Sequence, residues 1–408
     1  MRPELLPFLA CPGCGAALEL RPFRGSGFAA DEVEEGLLHC RSCGLAYPVT
    51  GSIPRLLPGA LDRHPRFVRE FARELGGLSR PRPEAVRRFD RLHGLTARAF
   101  GYEWNTYQTT SREEDVLTFF WLTGADPGLY QRMPLADVFS YYPSPAEIGT
   151  IDASRLAGAT VLEVGCGMGK YLKVVSDHAR TVIGLDLSDA VLRARRETRD
   201  RPNVHLVQGD ILSAPLQAGT MDFVFSVGVL HHTPDARAAF QASARLVKAG
   251  GFLAVWLYPQ DPNQSRYARR VHWLQDEVLR PVTCRLPPPL LRAFAAVLGR
   301  LTFVRDRYAE RYRASGSRFA CNVAMAAGAL AVGRHRDPEI AAFLNFDWYS
   351  PQYRSYHTEE QVSGWFQDAG FEAAIILPQR VSAVAHRPLS ATVVAREDAA
   401  ALSSSAGP

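Results

Sequence analysis

The stretch VLEVGCGMGKY, Val161 to Tyr171, runs apolar up to a lone acid, Glu163, and then carries glycine at every second position, Gly165, Gly167 and Gly169. The β-branched and leucine run ATVLEVG predicts a buried parallel strand, and KYLKVVSDHA after it predicts a helix. Strand, glycine turn, helix is a ligand-binding order, and the details limit the ligand. A dinucleotide fingerprint would place its third glycine where Lys170 stands, and a triphosphate loop needs Gly-Lys-Ser or Gly-Lys-Thr, which is missing. An acid just before the first glycine repels a pyrophosphate and attracts an ammonium. The expected ligand carries a cationic amine and no phosphate.

This loop resembles the first motif of class I methyltransferases that use S-adenosylmethionine. The resemblance implies that the acid at the Glu163 position polarises the loop toward the methionine amine, while the cofactor lies on bare glycine backbone. TVIGLDLS predicts a second strand ending on Asp186, at the ligand-bearing edge of a doubly wound sheet. A carboxylate there can accept two ribose hydroxyls, in NAD enzymes as in methyltransferases. VHLVQGDIL predicts a third strand ending on Asp210 and Ile211, which in the family face the adenine amino group and ring. MDFVFSVGVLHHTPD and AGGFLAVWLYP supply a fourth and a fifth strand. The order closely resembles the type 11 methyltransferase family over about residues 159–259, with Ala249 where the family has proline. The implied fold is α/β, a doubly wound, mostly parallel, Rossmann-like sheet. The implied cofactor set is Glu163, Gly165, Gly167, Gly169, Asp186, Asp210, Ile211 and Ser226.

Four of the seven cysteines form two knuckles, Cys11-Pro-Gly-Cys14 and Cys40-Arg-Ser-Cys43; Cys166, Cys284 and Cys321 are scattered singles. Two such turns can aim four thiolates at one tetrahedral zinc ion, which leaves no open coordination position for catalysis. The spacing between the knuckles is slightly longer than usual for zinc. CGLAYPVTGSIPRLLP and the CPGC start resemble the zinc-ribbon family that includes the small activator subunit of tRNA and translation-factor methyltransferases. In that family the ribbon supports a methyltransferase partner. The organisation expected is a zinc ribbon at 1–58, a helical linker and lid at 59–142, a cofactor-binding core at 143–260, a helical cap insertion at 261–345, completion of the sheet at 346–398 and a disordered tail at 399–408.

Absent motifs narrow the chemistry. No Asn/Asp-Pro-Pro-aromatic motif follows the fourth strand, where Ser226-Val227-Gly228 stands, and no cysteine nucleophile lies there. An oxygen, an aliphatic nitrogen or an activated carbon remains as acceptor. His231 and His232 follow the fourth strand, where the acceptor enters; they are either a general base or a hydrogen-bonded structural pair. Aromatic segments supply further candidates, Tyr102 and Trp104 in FGYEWNTY and Tyr349, Tyr353 and His357 in NFDWYSPQYRSYH, with Asp347 beside them. The apolar run FACNVAMAAGALAVG is a buried helix or a pocket lining, too short for a membrane span. SATVVAR near the end predicts the last antiparallel strand.

Of 47 basic residues only Lys170, Lys173 and Lys248 are lysines, and no basic run of five occurs, so nucleic acid is disfavoured as partner. The sequence therefore predicts a cytoplasmic methyltransferase acting on a small-molecule acceptor, most simply at oxygen, with S-adenosylmethionine as cofactor, structural zinc and no membrane partner. A homodimer through the cap insertion stays open. The alternatives are an RNA methyltransferase that grips its substrate with the ribbon, and a degenerate scaffold.

Overall fold

The computed structural model describes residues 1–23, 32–76, 83–107, 156–260, 264–315, 330–331, 338–376 and 381–389. The expected pocket-lining run from Phe319, except Leu330 and Ala331, the strand SATVVAR and the tail lie outside the described residues. Among the described residues eleven strands form one sheet in the order β1-β2-β3-β4-β7-β6-β5-β8-β9-β11-β10. Its centre is β5 (Thr160–Val164), buried at every residue and paired in parallel with β6 (Thr181–Asp186) and β8 (Met221–Val227). β7 (Val204–Gly209) lies parallel to β6 on one side, and β9 (Val247–Trp256) lies parallel to β8 on the other. Such strands are covered on both faces, which is why they read as nearly unbroken apolar runs. Phe240, Val362 and Phe366 pack under one face; Leu172, Val175, Val191 and Ala194 pack under the other.

The antiparallel partner of β9 is β11 (Ser382–His386), with the two-residue β10 (Ile375–Ile376) outside it. The last strand among the described residues lies just before SATVVAR in the chain. The small and apolar residues of SAVAH fit a strand buried at four of its five residues.

The N-terminal module continues the same sheet. β1 (Glu19–Pro22), β2 (Gly36–His39), β3 (Ala46–Thr50) and β4 (Ile53–Leu56) form an antiparallel run, and β4 then pairs in parallel with β7 through Arg55 opposite Gln208 and Leu56 opposite Gly209. A second seam joins Leu9 to Leu216, with the Gln217 amide donating to the Phe8 carbonyl at 2.8 Å. Met1, Leu5, Leu9 and Leu56 share one core with Leu185, Val207 and Leu216. Covering β7 in this way removes an exposed sheet edge.

A 24-residue helix, here α3 (Pro83–Thr106) after the short α1 (Ala60–Arg63) and α2 (Pro65–Glu70), crosses the ligand-bearing end of the sheet. Phe89, His93, Thr96, Phe100, Glu103 and Tyr107 recur at alternating intervals of four and three, the stripe that one helix face requires. FGYEWNT is therefore the end of this helix. Asn105 anchors it by donating to the Asp189 carbonyl at 3.0 Å, and Gly101 lies where a Cβ would come within 3.3 Å of the Asp189 amide nitrogen. Between β9 and β10 the chain is mostly helical: α7 (Arg266–Trp273), a π-helical turn Leu274–Leu279, α8 (Arg280–Thr283), α9 (Pro288–Ser315), α10 (Pro338–Tyr349) and α11 (Glu359–Asp368), following α4 (Lys170–Ser176), α5 (Ala190–Glu197) and α6 (Ala236–Leu246) of the sheet layers.

Arg55 is the polar joint between the ribbon and the sheet. Its buried guanidinium donates to Gln208 Oε1 at 2.9 Å and to Thr50 Oγ1 at 3.0 Å, with Asp189 3.8 Å away. Arg55→Ala leaves Gln208 Oε1 without this donor, and a buried hydrogen bond from a charged group contributes about 1.5–3 kcal/mol. The expected result is a thermal midpoint lowered by several degrees. An unchanged midpoint would show that this joint contributes nothing to docking.

Candidate active site

The three loop glycines all adopt positive φ, and each does so against a different neighbour. A Cβ on Gly165 would overlap Val229, one on Gly167 would press on the Trp104 ring at 3.2 Å, and one on Gly169 would meet Ala194 and Thr198 of the α5 region. Gly165 and Gly167 border a cavity of about 390 Å³; Gly169 faces the helix packing instead. Trp104, from the end of α3, lies over the loop as one wall of that cavity.

Glu163 borders the same space. It is buried, and its Oε2 has no hydrogen-bond partner among the described residues. Burial, then the Asp186 charge, raises its pKa well above the usual carboxylate range. A buried, unpartnered acceptor is unfavourable unless a donor arrives. Asp186 is different, because one oxygen accepts from the Gly167 amide at 2.8 Å and the other from the Ser188 amide and hydroxyl at 2.8 and 2.7 Å. It braces the loop as well as facing the cavity. Asp210 accepts from the Leu212 amide at 3.0 Å and meets His93 Nε2 at 3.3 Å, so α3 closes that end; Ile211 lies beside it on the wall.

Ser226 lies off the cavity wall. Its hydroxyl is fully buried and donates to the Val164 carbonyl at 3.0 Å, tying β8 to β5. The histidine pair also divides. His231 is buried away from the wall, stacked on Tyr258 at 3.8 Å between ring centroids, and its Nδ1 accepts from the Tyr258 amide at 3.3 Å. His232 lines the cavity with Nδ1 held 3.0 Å from the Tyr353 carbonyl, so Nδ1 carries the proton and Nε2 is the accepting nitrogen. Burial, with Arg354 and Arg280 nearby, pushes its pKa down to about 3, against the Tyr353 contact that raises it. A base that weak is a poor proton sink at neutral pH.

The aromatic candidates sort by packing. Trp104 is on the wall. Tyr102 packs on Phe346, and Tyr349 is fully buried under the cap with its hydroxyl donating to the Leu330 carbonyl at 2.5 Å. Tyr353 meets the site through its carbonyl, and His357 packs against Trp365 while contacting Ser355 Oγ at 2.8 Å. In their place the wall uses Trp256, Tyr258, His272, Phe343, Trp348 and Tyr356, none singled out by the sequence. Asp347 lies among them, one turn from Phe343 on α10, with the Tyr258 hydroxyl 3.5 Å from Oδ2. Burial raises its pKa to about 6, with Arg354 and the Tyr258 hydroxyl opposing. Glu103, fully buried on α3 with both carboxyl oxygens unpartnered among the described residues, is raised well above the usual range by burial and by Asp347. Burial and the neighbouring Asp347 charge both favour the protonated form of Glu103.

At the other end of the chain, Cys11, Cys14, Cys40 and Cys43 form one cluster whose sulfurs all lie within 4.8 Å of one another. Cys11 Sγ is 3.6 Å from Cys43 Sγ, and Cys14 Sγ is 3.5 Å from Cys40 Sγ. These approach the roughly 3.8 Å edge of a tetrahedron with bonds of about 2.3 Å, so the donor set fits zinc.

A family profile described as a methyltransferase domain matches residues 162–255, and one described as Trm112p-like protein matches residues 2–52. The chain carries a methyltransferase domain behind a Trm112p-like one. Among curated proteins, it is 38% identical over 130 residues to a Xenopus tropicalis tRNA (carboxymethyluridine(34)-5-O)-methyltransferase, covering 30% of this chain and 20% of that one. It is 34% identical to a ubiquinone biosynthesis O-methyltransferase of Thiobacillus denitrificans over 27% of this chain and 49% of that one. It is 28% identical to a 2-methyl-6-phytyl-1,4-hydroquinone methyltransferase of Synechocystis over 63% and 76%. The chain thus spans half or less of the first two relatives' lengths. The methyltransferase domain contributes β5 to β9 to the sheet, and β4, just after the Trm112p-like match, joins that domain's β1 to β3 to the sheet edge.

Elemental analysis of the purified protein should find about one zinc per chain. Cys40→Ser should lower that content and the thermal midpoint together; full stability without metal would exclude a structural ion at the cluster.

Proposed function

We propose that the chain transfers a methyl group from S-adenosylmethionine to a hydroxyl of a small, largely apolar acceptor enclosed under the cap. The observation that carries this reading is a cavity with two unlike ends. One end offers the glycine loop, the unpartnered Glu163 and the acids Asp186 and Asp210; the other is walled by aromatic rings and holds Asp347. The donor set of the first end fits the cofactor. Glu163 supplies an acceptor for its ammonium, Asp186 and Asp210 supply acceptors for its sugar and base, and Ile211 and Trp104 supply apolar surface. When bound, the cofactor supplies a methyl group already activated on a sulfonium.

What remains for the protein is alignment and a proton. Alignment of a bound pair accounts for several kcal/mol of barrier lowering, about 7–11 in good intramolecular models. For the proton, Asp347 is better placed than His232, since a group with a pKa of about 6 is ionised at neutral pH and can take the acceptor's hydroxyl proton as the new O–C bond forms. The same carboxylate favours oxygen over an aliphatic amine. A negative charge beside an amine holds it protonated, and a protonated amine has no lone pair to attack with.

The RNA alternative rests on the ribbon as a grip. Residues 1–58 hold five arginines, no lysine and six acidic residues. That near-neutral module lacks the cationic surface that phosphate binding needs. Its inner edge is occupied by β7, which supports a bracing role.

Labelled methyl transfer from S-adenosylmethionine into a host extract, fractionated into small molecules, RNA and protein, tests the reading. Label is expected in the small-molecule fraction; label in RNA would replace this proposal with the gripping one. With the labelled compound as acceptor, the rate should rise with pH through about 6, the direction for a base that must lose its proton to act. Asp347→Asn should remove that limb and lower turnover about 10²-fold or more, whereas His232→Ala should leave the limb in place.

A further inference from the structure

Among the described residues ten large hydrophobic side chains are exposed, and eight of them fall between Tyr267 and Leu301 on the outside of the cap. They follow helical spacing. Tyr267, Leu274, Val278 and Val282 recur at intervals of seven, four and four along α7, the π-turn and α8, with Trp273 beside them at 61% exposure. On α9 the exposed Leu290, Val297 and Leu301 recur at seven and four, while Leu291, Ala295 and Leu298 face inward against Phe346 and Tyr349. α9 is thus apolar on two sides, and only the inner one is needed for packing. Surface helices of globular proteins place charge on the outer side, and apolar side chains clustered in the open mark an interaction surface.

The charge around these stripes has one sign. Arg266, Arg269, Arg270, Arg285 and Arg300 are exposed in the same segment, against one exposed acid, Glu277, while Arg292 lies over the Tyr107 ring. The other acid there, Asp276, is buried and taken by Arg280, Arg354 and Tyr356. We propose that this outer face of the cap lies on an anionic lipid bilayer, with the valines, leucines and Trp273 in the headgroup boundary and the arginines on lipid phosphates. Aliphatic side chains at this density neither stack on bases nor hydrogen-bond, which sets the surface apart from an RNA track. A second copy of the chain is disfavoured too, because a two-fold contact would bring the same arginines face to face. None of the described helices is long and apolar enough to cross a membrane. Lying on one needs no spanning helix.

The face and the site share an element. His272, next to Trp273 on α7, lines the cavity at its acceptor end. A bilayer under α7 would therefore hold apolar acceptors close to the compartment that receives them. The binding surface itself stands independently of methyl transfer and is tested without it.

The test is sedimentation of the full-length protein with vesicles of phosphatidylcholine alone and with vesicles in which part of it is replaced by phosphatidylglycerol. Binding is expected to the anionic vesicles, at least tenfold weaker to the neutral ones, and weakened by salt. Val282→Glu combined with Trp273→Glu, and separately Arg266→Glu with Arg270→Glu, should each reduce binding at least tenfold with an unchanged thermal midpoint. Absence of binding to either vesicle overturns the proposal. So does binding that bulk tRNA displaces in the wild type, or a concentration-dependent dimer that the Val282→Glu variant abolishes.

Discussion

Glu163 sits one residue before the end of a strand that has no free side. Because β5 is bounded in the sheet by β6 and β8 and covered on both faces, the chain can leave it only by a sharp turn at its end, and three positive-φ glycines make that turn. The turn leaves a carboxylate oxygen in a buried place without a hydrogen-bond partner. Much of the site is arranged around this constraint. Asp186 spends part of its hydrogen-bonding capacity holding Gly167, and Trp104 reaches over the loop from a helix that runs across the sheet end. A ligand that brings a positive charge would offset the unfavourable burial of that acid.

The Trm112p-like domain contributes from the far side of the same edge. Asp210 follows directly on β7, and β4 covers the outer edge of that strand, so the strand that positions this acid is held between two neighbours. Arg55 and Gln208 fix the register of that contact, and Arg195 Nη2, 2.9 Å from both carboxylate oxygens of Glu32, ties α5 to the same module. The cysteine cluster acts one step further back, by shaping the ribbon that presents β4. Cysteine cluster, ribbon, edge strand and acid form a mechanical series.

The legible parts of the sequence were the local ones. A glycine run, an acid at a strand end and two cysteine knuckles carry their meaning in a few consecutive residues, and Glu163, Asp186, Asp210 and the knuckles could be named from those alone. Positions whose role depends on which way a helix face turns were not legible. Tyr349 and Phe343 belong to one helix, yet the tyrosine faces the cap core and the phenylalanine the cavity. Within FGYEWNTY only Phe100 and Trp104, four residues apart, reach the wall, because α3 continues unbroken through the segment and its period decides. That four-and-three spacing, from Phe89 to Tyr107, was the available signal. Adjacent His231 and His232 looked equivalent, and the turn after β8 sends only the second toward the cavity. Asp347, named with the aromatic segment, gains its weight from burial beside Glu103, a contact between distant parts of the chain.

The central claim is that the buried, unpartnered Glu163 is what the cofactor satisfies. Calorimetric titration of S-adenosylmethionine into the protein near neutral pH, in two buffers of different ionisation enthalpy, measures affinity and proton exchange together. Because burial raises the pKa of Glu163 and an ammonium lowers it again, binding should release protons. Glu163→Gln should weaken binding at least tenfold and abolish that release. Equal affinity and equal proton exchange in the two proteins would contradict the account and move the cofactor's anchor elsewhere.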